Sequence, residues 1–291
     1  MPGADRTPAG TTDCHIHIIG PPERYPMNPA RVYTPGQASV ADLQAMRART
    51  GIARNVLVQP SFYGTDNRCM LDALAELGDS ARGVAVVDPH IPDQALRDLH
   101  AGGVRGLRLN LETGGDRDAQ GAGARIAALA PRLPALGWHV QIYAALSVIA
   151  AAAQTIADSP VPVVIDHFGL AKADGGVGQP GFSALVELVR GGRAYVKLSA
   201  PHRISSAGPD HADAAPLARA LIEAGPERML WGSDWPHTVR TPGQNPSPLE
   251  IHPFLAVDDV RDLAAVRGWT GDEALARAIL VDNPTRLYGF T

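Results

Sequence analysis

Two histidines, His15 and His17, sit two residues apart in the run Thr12-Asp13-Cys14-His15-Ile16-His17-Ile18-Ile19. Successive side chains of a β-strand point to opposite faces, so residues two apart share one face. Two imidazoles on one face of an apolar strand suit metal ligation or hydrogen bonding to an anionic substrate. The alternative, two structural histidines satisfied in a core, gives no reason for a single polar face. Far along the chain comes Met229-Leu230-Trp231-Gly232-Ser233-Asp234-Trp235-Pro236-His237. There Asp234 ends an apolar run beside two tryptophans, and a carboxylate in such surroundings can act as a general base. An N-cap role for Asp234 is opposed by Pro236 and the irregular stretch that follows. His167, after the apolar run 161–165 and Asp166, is a third imidazole, unless Asp166 is a helix cap and His167 incidental.

Arginines form the second set. Arg108 lies inside Val104-Arg105-Gly106-Leu107-Arg108-Leu109-Asn110, two residues from Asn110 and on the same strand face. An interior guanidinium is costly unless paired, and a carboxylate held bidentately is its best partner. Arg203, in Ser199-Ala200-Pro201-His202-Arg203, could do the same or be an exposed loop charge. Gln141 and Tyr143 end another strand, and Tyr143 can donate one hydrogen bond into a pocket or simply pack. The turn-rich stretch Gly64-Thr65-Asp66-Asn67-Arg68 adds donors or only connects elements.

The elements that must position these groups alternate. Short β-branched runs are expected as strands at 13–18, 55–59, 83–87, 104–109, 139–143, 161–166, 194–198 and 229–232. Between them the spacing predicts helices at 39–50, 70–77, 92–101, 124–136, 148–157, 182–190 and 214–223, most ending at glycine, with a last helix at 272–281. Alternation of this kind predicts a parallel sheet with crossover helices, and eight strands close a (β/α)8 TIM barrel, here allowed to be distorted. Only closure makes the first and last strands neighbours, so His15, His17 and Asp234 would meet at the C-terminal ends of the strands, where barrel enzymes build their sites. Two proline-rich segments, 20–36 and 238–248, follow strands and are expected as walls or lids of the pocket.

The 291 residues suit one barrel domain over 1–291. A composition of 45% hydrophobic and 19% charged residues is that of an ordinary globular protein. With 26 Lys+Arg against 30 Asp+Glu the net charge is −4, so no basic field exists to hold nucleic acid or an anionic membrane. The expected partner is a small anionic substrate, and the chain is expected as a monomer or homo-oligomer. Cys14 and Cys69 read as buried thiols of a reducing compartment, and the first residues carry no signal-peptide pattern, so the cytoplasm is expected.

A His-x-His on the first strand, a later histidine and an aspartate after the last strand resemble the amidohydrolase superfamily. Gln59-Pro60-Ser61, Gly64-x-Asp66-Asn67-Arg68, Arg105-Gly106-x-Arg108-x-Asn110, Asp166-His167, Trp231 to His237 and Asp282-Asn283-Pro284-x-Arg286-Leu287-Tyr288 are similar to its 2-pyrone-4,6-dicarboxylate lactonase-like branch. So are Tyr33-Thr34-Pro35 and Ser205-x-x-Gly208-Pro209, which carry the similarity almost end to end. The resemblance implies hydrolysis of a carboxylated lactone, in a branch that works without metal although the superfamily is usually metal-dependent. Its role set here would be Asp234 with His15, His17 and His167 for catalysis. Arg108, Arg203, Tyr143, Tyr33, Ser61, Asn110 and His237 would bind substrate.

Where metal-bound relatives carry a bridging Lys or Glu and a histidine, this chain offers Arg108, Gln141 and Tyr143, and His139 lies at the wrong end of its strand. No cofactor is therefore expected, with a single zinc or manganese on His15, His17 and Asp234 as the alternative. The branch has a second carboxylate-binding arginine where this chain has Gly114, so Arg117 would have to replace it or the substrate carries differently placed acidic groups. The expected mechanism has Asp234 activating water while the three histidines stabilise the oxyanion. The alternatives are a metal-dependent hydrolase or decarboxylase of the same superfamily, or a lactone isomerase using the same aspartate.

Overall fold

Eight runs of apolar and β-branched residues form eight parallel strands in chain order: β1 (Thr12–Ile16), β2 (Arg54–Val58), β3 (Ala81–Ala85), β4 (Val104–Asn110), β5 (His139–Tyr143), β6 (Val163–Ile165), β7 (Ala194–Ser199) and β8 (Met229–Gly232). The computed structural model describes residues 7–116, 118–238 and 247–291. Each strand pairs in parallel with the next, and helices fill the crossovers, so the chain is the expected (β/α)8 barrel.

The seam between β8 and β1 closes just beyond the strand ends. His17 donates its backbone N–H to Trp235 O (2.8 Å), Asp234 N–H donates to His15 O (2.9 Å), and Ile16 bridges Trp235 in parallel. Below this, the Asp13 carboxylate accepts from Ser233 N–H (2.9 Å), Ser233 Oγ (2.5 Å) and His15 N–H (3.1 Å). Gly232 makes the approach feasible, because a Cβ there would stand 2.8 Å from His15 Cβ and 2.9 Å from its backbone nitrogen. The sequence ends of the barrel are thus brought within hydrogen-bonding distance at the site.

A bulge sets which residues of β1 face inward. Its pairing with β2 runs Asp13 to Asn55 and then Ile16 to Leu57, so one extra residue sits on β1. Cys14 accordingly joins the interior cluster of Val56, Val58, Val84, Val164, Tyr195 and Leu230, while Ile16 and Leu57 face the surrounding helices. Past the bulge it is His15 and His17 that turn into the barrel. At the N-terminal end the interior is plugged by the chain's last residues, Leu287, Tyr288 and Phe290. Arg54 and Arg82 hold their guanidinium carbons 4.9 Å from the Phe290 ring centre.

Several boundaries differ from expectation. β3 begins two residues earlier than the run at 83–87. The helix expected at 124–136 is Ala119–Leu129, because Pro131 and Pro134 turn the following residues into two 3₁₀ turns. The stretch 148–157 is divided into Leu146–Ala151 and Ala153–Ala157. The last helix is a succession: Glu273–Arg277, a π-helical turn at Ala278–Asp282, and Asn283–Tyr288. A helix that was not expected, Asp259–Thr270, packs beside the first helix, Val40–Thr50. Of the two expected walls, 20–36 contributes Thr34–Pro35, a two-residue strand paired with Ile251–His252, whereas most of 238–248 lies outside the described residues. Among the described residues, no helix is long and apolar enough to cross a membrane.

Candidate active site

At the C-terminal end of the barrel lies a cavity of about 240 Å³ whose walls come from many elements: His17, Tyr33, Pro60, Ser61, Arg108, Asn110, Glu112, Thr113, Tyr143, His167, Arg203, Asp234 and Thr238. At its centre is Asp234, 1% exposed. Its Oδ2 is held by Arg203, from Nε at 2.7 Å and Nη2 at 2.5 Å. Among the described residues its Oδ1 has no hydrogen-bond partner. Three imidazole Nε2 atoms surround that bare oxygen, those of His15 at 3.6 Å, His17 at 3.7 Å and His167 at 3.8 Å. Each distance is longer than a hydrogen bond.

The backbone aims these groups at a conformational cost. Asp234 has φ 68° and His167 φ 50°, and Ala200, beside the turn that carries Arg203, has φ 50°. Non-glycine residues in this region cost about 1–3 kcal/mol each and persist where the surrounding packing holds them. Here the seam hydrogen bonds hold Asp234. His167 opens a tight turn straight after β6 and anchors its Nδ1 on Ser199 Oγ at 2.8 Å.

Electrostatics fix the charge states. Burial opposes the negative charge on Asp234, but Arg203 above all, with the imidazoles around it, holds the carboxyl well below the usual carboxylate range. The same pairing raises the pKa of Arg203 against its burial. Burial pushes His167 down to about 4 and His202, whose Nε2 lies 3.9 Å from Asp234 Oδ2, down to about 3. His15 is likewise pushed well below its ordinary value by burial. Near neutral pH the site therefore holds an anionic aspartate clamped by Arg203, with burial opposing a positive charge on His15, His167 and His202.

A second carboxylate, Asp166, lies deeper. Its Oδ1 stands 3.3 Å from both His15 Nδ1 and Lys197 Nζ, and its Oδ2 receives Gln141 Nε2 at 3.0 Å and faces Arg108 Nη2 at 3.5 Å. Burial works against its charge, yet Lys197, then His15 and Arg108, keep its pKa well below the usual range. Arg108 also donates Nη1 to Gln59 O at 3.1 Å and lies over the Tyr143 ring at 5.5 Å. The carboxylate partner that an interior Arg108 requires is thus Asp166.

The structure gathers His17, His167, Asp234, Arg108, Arg203, Tyr143, Tyr33, Ser61 and Asn110 on the cavity wall, with His15 just beneath. Two readings are corrected. His237 is absent from the wall: its Nε2 is 2.9 Å from Asp259 Oδ1, so it ties the loop after β8 to the Asp259–Thr270 helix. His17 is no oxyanion donor in its neutral form, because its Nδ1 sits 2.7 Å from Val58 O. A carbonyl only accepts, so the proton is on Nδ1 and Nε2 presents a lone pair. Arg117 lies outside the described residues. The sequence reading missed Lys197, Ser199 and His202. Lys197 alone left a signal, a lysine in the apolar run Ala194-Tyr195-Val196-Lys197-Leu198, two residues from Ser199 and on its face.

Among the described residues two groups have donor atoms close enough to share an ion, His15–His17–Asp234 and His15–Asp166–His167, each within 4.8 Å. Spacing fits, and the orphaned His15 Nε2 and Asp234 Oδ1 fit as well. The charges do not: the Lys197 ammonium stands against His15 Nδ1 and Asp166 Oδ1, and the Arg203 guanidinium occupies Asp234 Oδ2. One cation sits on the His15 and Asp166 atoms of the second group, and the other neutralises the carboxylate charge that the first group would offer a divalent ion.

A parallel (β/α)8 barrel with a His-x-His on β1, a histidine after β6 and an aspartate after β8 defines an amidohydrolase-type enzyme. The chain belongs to the amidohydrolase family, whose model matches residues 12–290. It is 37% identical to the 2-pyrone-4,6-dicarboxylate hydrolase of Comamonas testosteroni over 97% of this chain and 91% of that protein. It is 35% identical, with the same coverage, to the 4-sulfomuconolactone hydrolase of Rhizobium radiobacter. A solved Pseudomonas putida protein named for 2-pyrone-4,6-dicarboxylic acid hydrolysis superposes with a TM-score of 0.81, at 32% identity, covering 98% of this chain and 99% of that one.

Proposed function

We propose that the protein opens a small carboxylated lactone by hydrolysis and does so without a resident metal ion. The observation that carries this reading is the divided carboxylate of Asp234: one oxygen is clamped by Arg203, the other is bare in a cavity about the size of a single substituted ring. The clamp keeps Asp234 anionic and oriented. Its free Oδ1 takes a proton from water, the water oxygen attacks the lactone carbonyl, and the ring C–O bond breaks. The proton then passes to the departing ring oxygen, so the product is a hydroxy acid or its keto tautomer. His15 and His167 are placed to donate to the developing oxyanion, and His17, with its lone pair, to orient the water. Arg108, together with the Arg203 Nη1 left over from its bonds to Asp234 and Thr238, binds the substrate carboxylate, and Tyr143, Tyr33, Ser61 and Asn110 orient the ring.

The names of the relatives support a lactone with acidic substituents and a place in aromatic-compound catabolism, and two free buried cysteines suit the cytoplasm. The test is a panel of mono- and dicarboxylated lactones followed by absorbance, with the metal content of the same preparation measured. Ring opening of at least one carboxylated member, and none of the uncharged parent rings, is expected. Binding without turnover across the panel would refute the reading.

A further inference from the structure

Lys197 is completely buried beneath the imidazoles, and nothing in the chemistry above uses it. An ammonium has three N–H donors and no acceptor. Its three neighbours are Gln141 Oε1 at 2.7 Å, Asp166 Oδ1 at 3.3 Å and His15 Nδ1 at 3.3 Å. The amide oxygen and the carboxylate can only accept. The orientation of Gln141 is set independently, since its Nε2 donates to Asp166 Oδ2 at 3.0 Å. That leaves one ambiguous partner, His15, whose ring nitrogens can each donate or accept.

We propose that Lys197 is a positioning residue that fixes the tautomer of His15: by donating to Nδ1 it confines the imidazole proton to Nε2, which faces the cavity 3.6 Å from Asp234 Oδ1. His17 carries the opposite tautomer, with Nδ1–H on the Val58 carbonyl and the Nε2 lone pair toward the cavity. The two residues of the His-x-His pair are therefore complementary, one donor and one acceptor on either side of the same carboxylate oxygen. A protonated Nε2 cannot ligate a metal, so the lysine also accounts chemically for the misfit of an ion between His15, His17 and Asp234. Asp166 Oδ1 is the competing partner, 3.3 Å from His15 Nδ1. With the ammonium gone, it would draw the proton to Nδ1 and release the Nε2 lone pair beside those of His17 and the oxygen of Asp234.

The inference concerns the site assigned to lactone opening, but its test involves no substrate, so either reading can fail alone. Nitrogen NMR of ¹⁵N-histidine-labelled protein near neutral pH, with His15 assigned through a His15→Gln variant, should show the Nε2–H tautomer in the wild type. In Lys197→Met the proton should move to Nδ1. Zinc titration of the chelator-dialysed proteins should then show Lys197→Met binding about 10-fold more tightly than wild type. A wild-type His15 protonated on Nδ1 overturns the proposal, and that spectrum decides it even if the variant does not fold. An unchanged tautomer or unchanged zinc affinity in folded Lys197→Met overturns it too.

Discussion

The two ends of the barrel are built on opposite rules. At the N-terminal end Tyr288, Leu287 and Phe290 fill the interior against Cys14, Val56, Val84 and Tyr195, and the nearby arginines Arg54 and Arg82 lie over an aromatic face. At the C-terminal end two carboxylates, four imidazoles, two arginines and a lysine crowd together, two of them on strained backbone. One end lowers the free energy of the fold by burying apolar surface. The other holds charge in a fixed arrangement at a cost that the rest of the barrel must offset. Substitutions at the two ends should therefore separate activity from stability.

The largest separation is expected at Asp234. Asp234→Asn removes the base while keeping size and shape, and ring opening should fall about 1,000-fold with substrate binding largely retained, as read by kcat and by calorimetric titration. Near-normal turnover would deny Asp234 its role. The reciprocal case is Tyr288, fully buried in the plug, whose hydroxyl lacks a hydrogen-bond partner among the described residues. Tyr288→Ala should cost about 3–5 kcal/mol of stability in denaturant titration while folded enzyme keeps its kcat. Tyr288→Phe should instead be neutral or stabilising by about 1 kcal/mol, since only an unsatisfied buried hydroxyl is lost.

A smaller effect distinguishes the ends through pH. His167 sits at about 4 in the folded protein against 6.5 in an open chain. The imidazole should stay neutral across the physiological range, and the acid limb of kcat/KM should fall near pH 4 and not near 6.5. The unfolded chain takes up a proton at the ordinary imidazole value and the folded one does not, so stability contributed by this residue declines as pH drops from about 6.5 and levels off below about 4. A limb near 6.5 assigned to His167 would mean that its imidazole is exposed to water.

The strands and crossover helices of the barrel were largely legible in the sequence because apolar periodicity and helix-ending glycines report them directly. So was the meeting of His15, His17 and Asp234, which follows from eight strands closing. What escaped depended on contacts that no spacing encodes. The bulge in β1 turns Cys14 and His15 both inward, although their adjacency predicts opposite faces. The Asp259–Thr270 helix hides because Asp259 and Asp262 are buried where apolar residues would be expected, Asp259 being held by His237. That hydrogen bond also draws His237 away from the cavity. Lys197 was passed over inside an apolar strand, yet inner-face position and an unpaired charge mark it as a residue that must meet a carboxylate.

The most direct measurement is ring opening of a carboxylated lactone by chelator-dialysed protein in ¹⁸O-enriched water, with product mass and rate recorded together. Aspartate-driven hydrolysis predicts one heavy oxygen in the newly formed carboxylate and a rate unchanged by removing metal. A product without the label, or turnover that returns only when a divalent ion is restored, would contradict it.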